Sequence, residues 1–325
     1  MRISMIAAGL LAGTATFADT PVLTVLTYDS FVSDWGPGPA VESAFEATCG
    51  CDLQFVGAGD GAALLARVRL EGARSDADVV LGLDTNLMAA ARETGLFAPH
   101  NVTVPPLDLP VTWEDDTFLP FDWGYFAFVH NSEALPTPPA NFRALGESDV
   151  SILIQDPRSS TPGLGLLMWV KAAYGEAAGE VWEALSDNIV TVTPGWSEAY
   201  GLFLEGEADM VLSYTTSPAY HLIAEEDATK AAAPFSEGHY LQVEVAAKLA
   251  ASDRPDLADA FLTFMLSDEF QTVIPTTNWM YPVRGPVPDG FDTLITPDRA
   301  LLVAADKAQA VRDAALAEWR AALAQ

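Results

Sequence analysis

The sequence predicts an α/β protein of two lobes with a ligand cleft between them. Three observations carry that prediction. Short apolar runs alternate with stretches of helical periodicity from residue 22 onward, the pattern of a parallel sheet covered by helices. Two stretches, Phe121-Asp-Trp-Gly-Tyr-Phe-Ala-Phe-Val-His130 and His239-Tyr-Leu-Gln-Val-Glu-Val-Ala-Ala247, read as crossings between lobes, and two crossings make a hinge. The 325-residue length is also large for a single hydrophobic core.

The class of protein follows from the ends and the charge. Met1-Arg2, an apolar run to Gly13 and the small residues before Asp19 read as a signal peptide cut after Ala18. The run is well short of the ~20 residues that span a bilayer. No cysteine stands near the cut to carry a lipid. With 45 acidic against 16 basic residues the formal charge is −29. So negative a surface repels phosphate backbones and anionic lipid heads, which argues against nucleic acid and membranes as partners. It is compatible with a cationic ligand, although net charge mostly reports solubility.

The elements follow in order. Val22-Leu-Thr-Val-Leu-Thr27 is a first strand that runs into an aromatic, polar loop containing Tyr28 and Trp35, and residues 41–47 make a helix. The pair Cys49-Gly50-Cys51 suits a small disulfide in an exported protein, with Gly50 supplying the unusual backbone angles. Two thiolates without neighbouring His or Cys fit a zinc site poorly. Leu53-Gln-Phe-Val56 is a second strand ending in a glycine-rich turn before a helix at 62–70. There Asp60 reads equally as the cap of that helix and as a ligand acceptor.

Ala77-Asp-Val-Val-Leu-Gly-Leu-Asp84 is a third strand, with a helix expected at 85–95 and irregular surface chain over 99–120. The first crossing then leads to a short helix at 142–147, a strand at 151–155 and a helix at 164–174. The cluster Ser159-Ser160-Thr161 before that helix reads as a cap or as a hydroxyl and N–H cradle. A helix at 178–185, a strand at 190–192 and a helix from Trp196 to Phe203 come next. Asp209-Met-Val-Leu-Ser-Tyr-Thr-Thr-Ser-Pro-Ala-Tyr220 is a strand entering a binding loop, because ligands in open α/β sheets gather at the carboxyl ends of strands. The return crossing, a helix at 256–266, a loop at 275–283 carrying Trp279 and a closing helix at 304–323 complete the chain. The lobes are expected at 19–125 with 245–300, and at 126–244, with 301–325 as a terminal helical segment.

Catalytic patterns are missing. The sequence has no Gly-x-Ser-x-Gly elbow, no His-Glu-x-x-His and no phosphate- or dinucleotide-binding glycine motif, and His100, His130, His221 and His239 are scattered. What remains is a set of aromatic and small polar residues at strand ends: Tyr28, Trp35, Asp60, Ser160, Thr161, Trp196, Tyr214, Thr215, Thr216, Ser217, Tyr220 and Trp279. Ring faces attract cations and stack on flat rings, so this set suits a cationic or heteroaromatic ligand.

Longer runs identify a family. Thr27-Tyr-Asp-Ser-Phe31, Asp34-Trp-Gly-Pro-Gly-Pro39, Ala77 to Asp84, Gln155-Asp-Pro-Arg158 and Ser160-Thr-Pro-Gly-Leu-Gly-Leu166 are joined by three more. These are Gly195-Trp-Ser-Glu-Ala-Tyr-Gly-Leu-Phe203, Leu212-Ser-Tyr-Thr-Thr-Ser-Pro-Ala-Tyr-His221 and Asn278-Trp-Met-Tyr-Pro282. Over nearly the whole mature chain the sequence resembles the periplasmic thiamine-binding proteins of bacterial ABC transporters. The resemblance implies a type II-like periplasmic-binding-protein fold. It also implies capture of thiamine or its mono- and diphosphates in the periplasm and delivery to the permease and ATPase subunits of a thiamine ABC transporter. A monomer is implied, with no catalysis, cofactor or metal. Ligand positions carried over fall on Asp60, Gly61, Ser160, Thr161, Trp196 and Tyr214 through Ser217, with Tyr28, Trp35, Tyr220 and Trp279 as further cleft aromatics. Tyr220, Trp35 and Trp279 are expected to sandwich the rings, Asp60 to meet the aminopyrimidine or the positive ring, and the hydroxyls to hold the hydroxyethyl or phosphate end. Ser159 follows Arg158 where the family pattern expects threonine, which keeps a hydroxyl. Two alternatives share the architecture: a thiamine-processing transferase, which would need a cysteine nucleophile in the cleft, and a ferric-ion carrier, which would need adjacent tyrosines.

Overall fold

The structure is a computed structural model that describes residues 20–323. The leader expected at 1–18 lies outside the described residues.

In chain order the first elements are β1 (Val22–Thr27), α1 (Asp29–Val32), α2 (Gly38–Cys49), β2 (Asp52–Gly57), α3 (Gly61–Glu71), β3 (Val79–Asp84) and α4 (Met88–Arg92). The long β4 (Leu119–Asn131) leads to α5 (Phe142–Gly146), β5 (Ile152–Gln155), α6 (Thr161–Tyr174), α7 (Ala178–Leu185), β6 (Ile189–Thr193) and α8 (Trp196–Leu204). Then come β7 (Met210–Tyr214), α9 (Pro218–Ala224), β8 (Lys230–Ala232) and the second long strand β9 (His239–Lys248). The chain closes with α10 (Pro255–Phe264), α11 (Asp268–Gln271), α12 (Ile274–Thr277), β10 (Tyr281–Pro282), β11 (Ala300–Leu301) and α13 (Ala305–Leu323).

The strands run in the order β2-β1-β3-β9-β4-β7-β5-β6. The outer trios are internally parallel, as expected of strands separated by helices, and β3 is buried along its whole length. The two crossings sit in the middle and pair antiparallel with each other, β9 also with β3 and β4 also with β7. Each lobe therefore owns one parallel trio, and β4 and β9 belong to both. All ten residues of β9 are buried. By alternation Gln242 and Glu244 share a face with Tyr240 and Ala246, and Leu241, Val243, Val245 and Ala247 fall on the other.

Several elements differ from expectation for local reasons. The helix after β3 is confined to α4 because Asp84 first turns the chain, accepting from the N–H groups of Asn86 and Leu87 at 3.1 Å each. Tyr220 lies on helix α9 and not in a loop, since Pro218 occupies a helix start, where its fixed φ is favourable. The 275–283 loop contains α12 and β10, and β8 is an added short strand on β4. The terminal helix α13 is no appendage: it packs on α4 of the first lobe and on α6 and α7 of the second, with Lys171 meeting Glu318 at 2.6 Å.

Cys49 and Cys51 are joined in a disulfide around Gly50, whose φ of 62° is left-handed. The bond closes α2 just before β2 begins. Among the described residues no helix is long and apolar enough to cross a membrane.

Candidate functional site

A cavity of about 530 Å³ opens between the two parallel trios, at the carboxyl ends of their strands. The end of β1 supplies Tyr28, and Trp35 follows in the next turn. The end of β2 supplies Asp60. From the second lobe come Trp196 and Tyr200 on α8, Tyr214 and Ser217 at the end of β7, and Tyr220 on α9. The crossing β9 contributes Glu244, and the turn after α12 contributes Asn278, Trp279 and Met280.

The walls are aromatic and come in two facing sets. Trp35 of the first lobe and Trp196 of the second stand 6.3 Å apart at 55°. Trp35 is 55% exposed, so this pair marks the mouth. Trp196 is braced from behind. It stacks on Tyr200 at 4.9 Å, its Nε1 donates to Ser213 Oγ at 2.8 Å, and the Tyr200 hydroxyl meets His221 Nε2 at 3.0 Å. The second set is Tyr220 with Trp279, edge to face at 5.4 Å. Trp279 has a φ of 56°, rare for a bulky residue, because it is the turn that ends α12, with its N–H on the Ile274 carbonyl.

The floor is acidic. Tyr28 Oη lies 3.0 Å from Glu244 Oε2 and 3.1 Å from Asn278 Oδ1, and Asn278 Nδ2 donates to Asp122 Oδ2 at 2.6 Å. Gln242 Nε2 donates to Glu244 Oε1 at 2.7 Å, while Asp122 Oδ1 is buried without a partner. Burial pushes the Asp122 carboxyl up to about 8 and the Glu244 carboxyl well above the usual range, with the Asp122 charge adding to the second shift. Burial also raises Tyr28 and Tyr214, helped by the acids around them. Gly82, at φ 103°, makes room for Tyr28: a Cβ there would stand 2.2 Å from its ring. Among the described residues that line the cavity there is no Lys, Arg or His.

Asp60 stands at the start of α3. It caps α3 by accepting from Gly61 N–H at 2.8 Å, it lines the cavity, and it accepts from Ser160 Oγ at 2.8 Å. Burial raises its carboxyl in spite of those bonds. Gly61 N–H also reaches Thr161 Oγ1 at 3.1 Å, and Ala63 N–H reaches the Ser159 carbonyl at 3.0 Å. The starts of α3 and α6 thus touch, one from each lobe.

The expected residues accordingly divide into three groups. Tyr28, Trp35, Asp60, Trp196, Tyr214, Ser217, Tyr220 and Trp279 line the cavity. Gly61, Ser160 and Thr161 lie at the contact between lobes instead of on the wall. Thr215 and Thr216 are fully buried behind it: the Thr215 N–H is spent on the Tyr125 carbonyl and Thr216 Oγ1 faces Met280 Sδ. The Ser217 hydroxyl is engaged with Ser213 Oγ at 2.6 Å. Of the three aromatics expected to sandwich the rings, Tyr220 pairs with Trp279, and Trp35 pairs with Trp196. Glu244, Asn278, Tyr200, Ser197 and Met280 were missed. The one acid in a mostly apolar crossing was the available signal for Glu244, and Tyr200 follows Trp196 by one helical turn.

Residues 37–272 match the model of the bacterial extracellular solute-binding protein family. The chain belongs to that family. This solute-binding protein is 55% identical over 317 residues to the thiamine-binding periplasmic protein of Escherichia coli (strain K12), covering 97% of each chain. It superposes on a solved periplasmic thiamin binding protein with a TM-score of 0.92 at 52% identity, covering 99% of this chain and 100% of the other. The periplasmic binding protein AfuA from Actinobacillus pleuropneumoniae, solved with fructose-6-phosphate, gives a TM-score of 0.78 at 18% identity over 94% and 99% of the chains, a likeness of fold alone. The solute-binding protein has the two-lobed fold of these relatives. Both of its cysteines are in the disulfide, at the start of β2 and away from the cavity, so the cavity has no thiol nucleophile.

Proposed function

We propose that this protein captures thiamine, and its mono- and diphosphate, in the periplasm and delivers it to the permease and ATPase subunits of an ABC transporter. The observation that carries this reading is the cavity itself: two aromatic pairs over a floor of carboxyls, with no basic side chain, shaped for a flat cation. In this reading one ring of the ligand lies near Tyr220 and Trp279 and another near Trp35 and Trp196. Asp60 and Glu244 face the positive charge, and the N–H groups at the start of α8 face the hydroxyethyl or phosphate end. Gly61, Ser160 and Thr161 serve closure, and Thr215 and Thr216 hold the wall. The lobes are 19–125 with 245–300, and 126–244. They close on the ligand by a shift of population about the crossings. The protein acts as a monomer, without catalysis, and is exported by a leader cut after Ala18.

A ferric-ion carrier needs tyrosinates, and the burial that raises Tyr28 and Tyr214 opposes their ionisation. The deciding experiment is titration calorimetry of ligand-stripped protein against thiamine, its monophosphate and its diphosphate. Saturable binding is expected, and absence of heat with all three overturns the reading.

A further inference from the structure

Under the cavity, acids stand side by side on three neighbouring strands. Glu244 of β9 is the direct cross-strand partner of Asp84 on β3 and of Asp122 on β4. All three are buried, and like charges directly opposite each other destabilise a sheet. The ionisable groups bearing on Glu244 are Asp84 from β3, Asp122 from β4, Asp60 from the cap of α3 and the Tyr28 phenol from the end of β1. The phenol of Tyr214, at the end of β7, feels the same acids. Arg312 of α13 bears on Asp84. Asp84 is satisfied locally by Asn86 at 2.7 Å, whereas Asp122 has Asn278 on Oδ2 and no partner on Oδ1. Of the three, Glu244 alone reaches the cavity wall.

A row of adjacent buried acids cannot hold a full set of negative charges without a cation, so in the empty cavity it retains protons. The upward shifts of Glu244 and Asp122 agree with that. A permanently charged ring laid above Glu244 supplies the missing cation. We propose that Glu244 is the residue by which the cavity selects a cation, and that the acid row gives up a proton to solvent when a positively charged heteroaromatic ring binds. The proposal rests on the reading of the ligand as thiamine, whose thiazolium is a fixed cation from pH 6 to pH 8. Tyr28 and Asn278 act as positioning residues that hold the acids in register. Binding is then stronger at higher pH, because the proton to be displaced is held less firmly.

The test is calorimetry of the full chain with thiamine at pH 7 in buffers of differing ionisation enthalpy, repeated from pH 6 to pH 8. The expected result is release of a substantial fraction of one proton per thiamine and affinity rising with pH. Glu244→Gln is expected to abolish most of the release and weaken thiamine about tenfold or more, while leaving the neutral aminopyrimidine half bound as before. Binding of thiamine with no proton exchange in any buffer and no change across pH overturns the proposal while leaving the thiamine reading intact. An equal loss of the neutral fragment and thiamine in a folded Glu244→Gln protein also overturns the selective role. Failure of the unmodified protein to bind thiamine at all is failure of the underlying reading. The proton count on the unmodified protein keeps the proposal falsifiable should the variant not fold.

Discussion

Ser160 Oγ donates to Asp60 Oδ2 at 2.8 Å, joining the starts of α6 and α3 across the lobes from positions 100 residues apart in sequence. The same carboxylate caps α3. A single side chain therefore ends one helix, lines the cavity and receives the opposite lobe.

If that contact belongs to the closed state, Ser160→Ala should weaken ligand binding without unfolding the protein. A hydrogen bond to a carboxylate contributes about 1.5–3 kcal/mol, so a loss of roughly tenfold to a hundredfold in affinity is expected by calorimetry. Gly61→Ala should do more, since its Cβ would sit 2.2 Å from Thr161 Oγ1 and hold the lobes apart. Small-angle scattering should then show no compaction on adding ligand; normal compaction would remove the contact from closure.

Trp279 carries its indole on a left-handed backbone. Trp279→Gly should relieve about 1 kcal/mol of backbone strain while losing ring contacts of about 1–3 kcal/mol with the ligand. The ligand-free melting temperature should hold within a few degrees while affinity drops by about fivefold or more. Unchanged affinity would take this ring out of the site.

Asp122 gives a signed pH dependence. Its carboxyl is pushed up to about 8, above its value in the unfolded chain, so the folded state holds a proton that the unfolded state gives up from about pH 4. The stabilisation is fully present below the unfolded value and is lost as pH rises towards 8, at no more than about 1.4 kcal/mol per pH unit. Asp122→Asn keeps the shape and cannot ionise. Denaturant melts from pH 5 to pH 8 should fall less steeply with pH in this variant than in the unmodified chain; parallel slopes would count against a proton on this residue.

The disulfide closes a very short loop, far from the cavity. Cys49→Ser with Cys51→Ser should cost no more than about 2 kcal/mol and leave ligand affinity unchanged. Incubation of the unmodified protein with thiamine and a nucleophile should give no product; turnover would reopen the transferase alternative.

The strands and most helices could be read from local periodicity, because burying one face of a helix or both faces of a parallel strand writes itself into consecutive residues. The same is true of the aromatic residues at the strand ends, whose position follows from the rule that open sheets bind at those ends. Tyr28, Trp35, Asp60, Trp196, Tyr214, Ser217, Tyr220 and Trp279 were found in this way, with Asp60 open equally to a role as helix cap or as ligand acceptor. Glu244 and Asn278 were not. Their roles depend on which residue of β9 falls opposite which residue of β3 and β4, and on a turn after α12 that brings Asn278 to within 2.6 Å of Asp122. Ser160 and Thr161 were recognised as special, but their partner was visible only once the lobes were placed together. Periodicity is a property of neighbours along the chain. Cross-strand register and lobe contact join residues about 100 or more positions apart, and the burial that raises the acids exists only after those pairings are made.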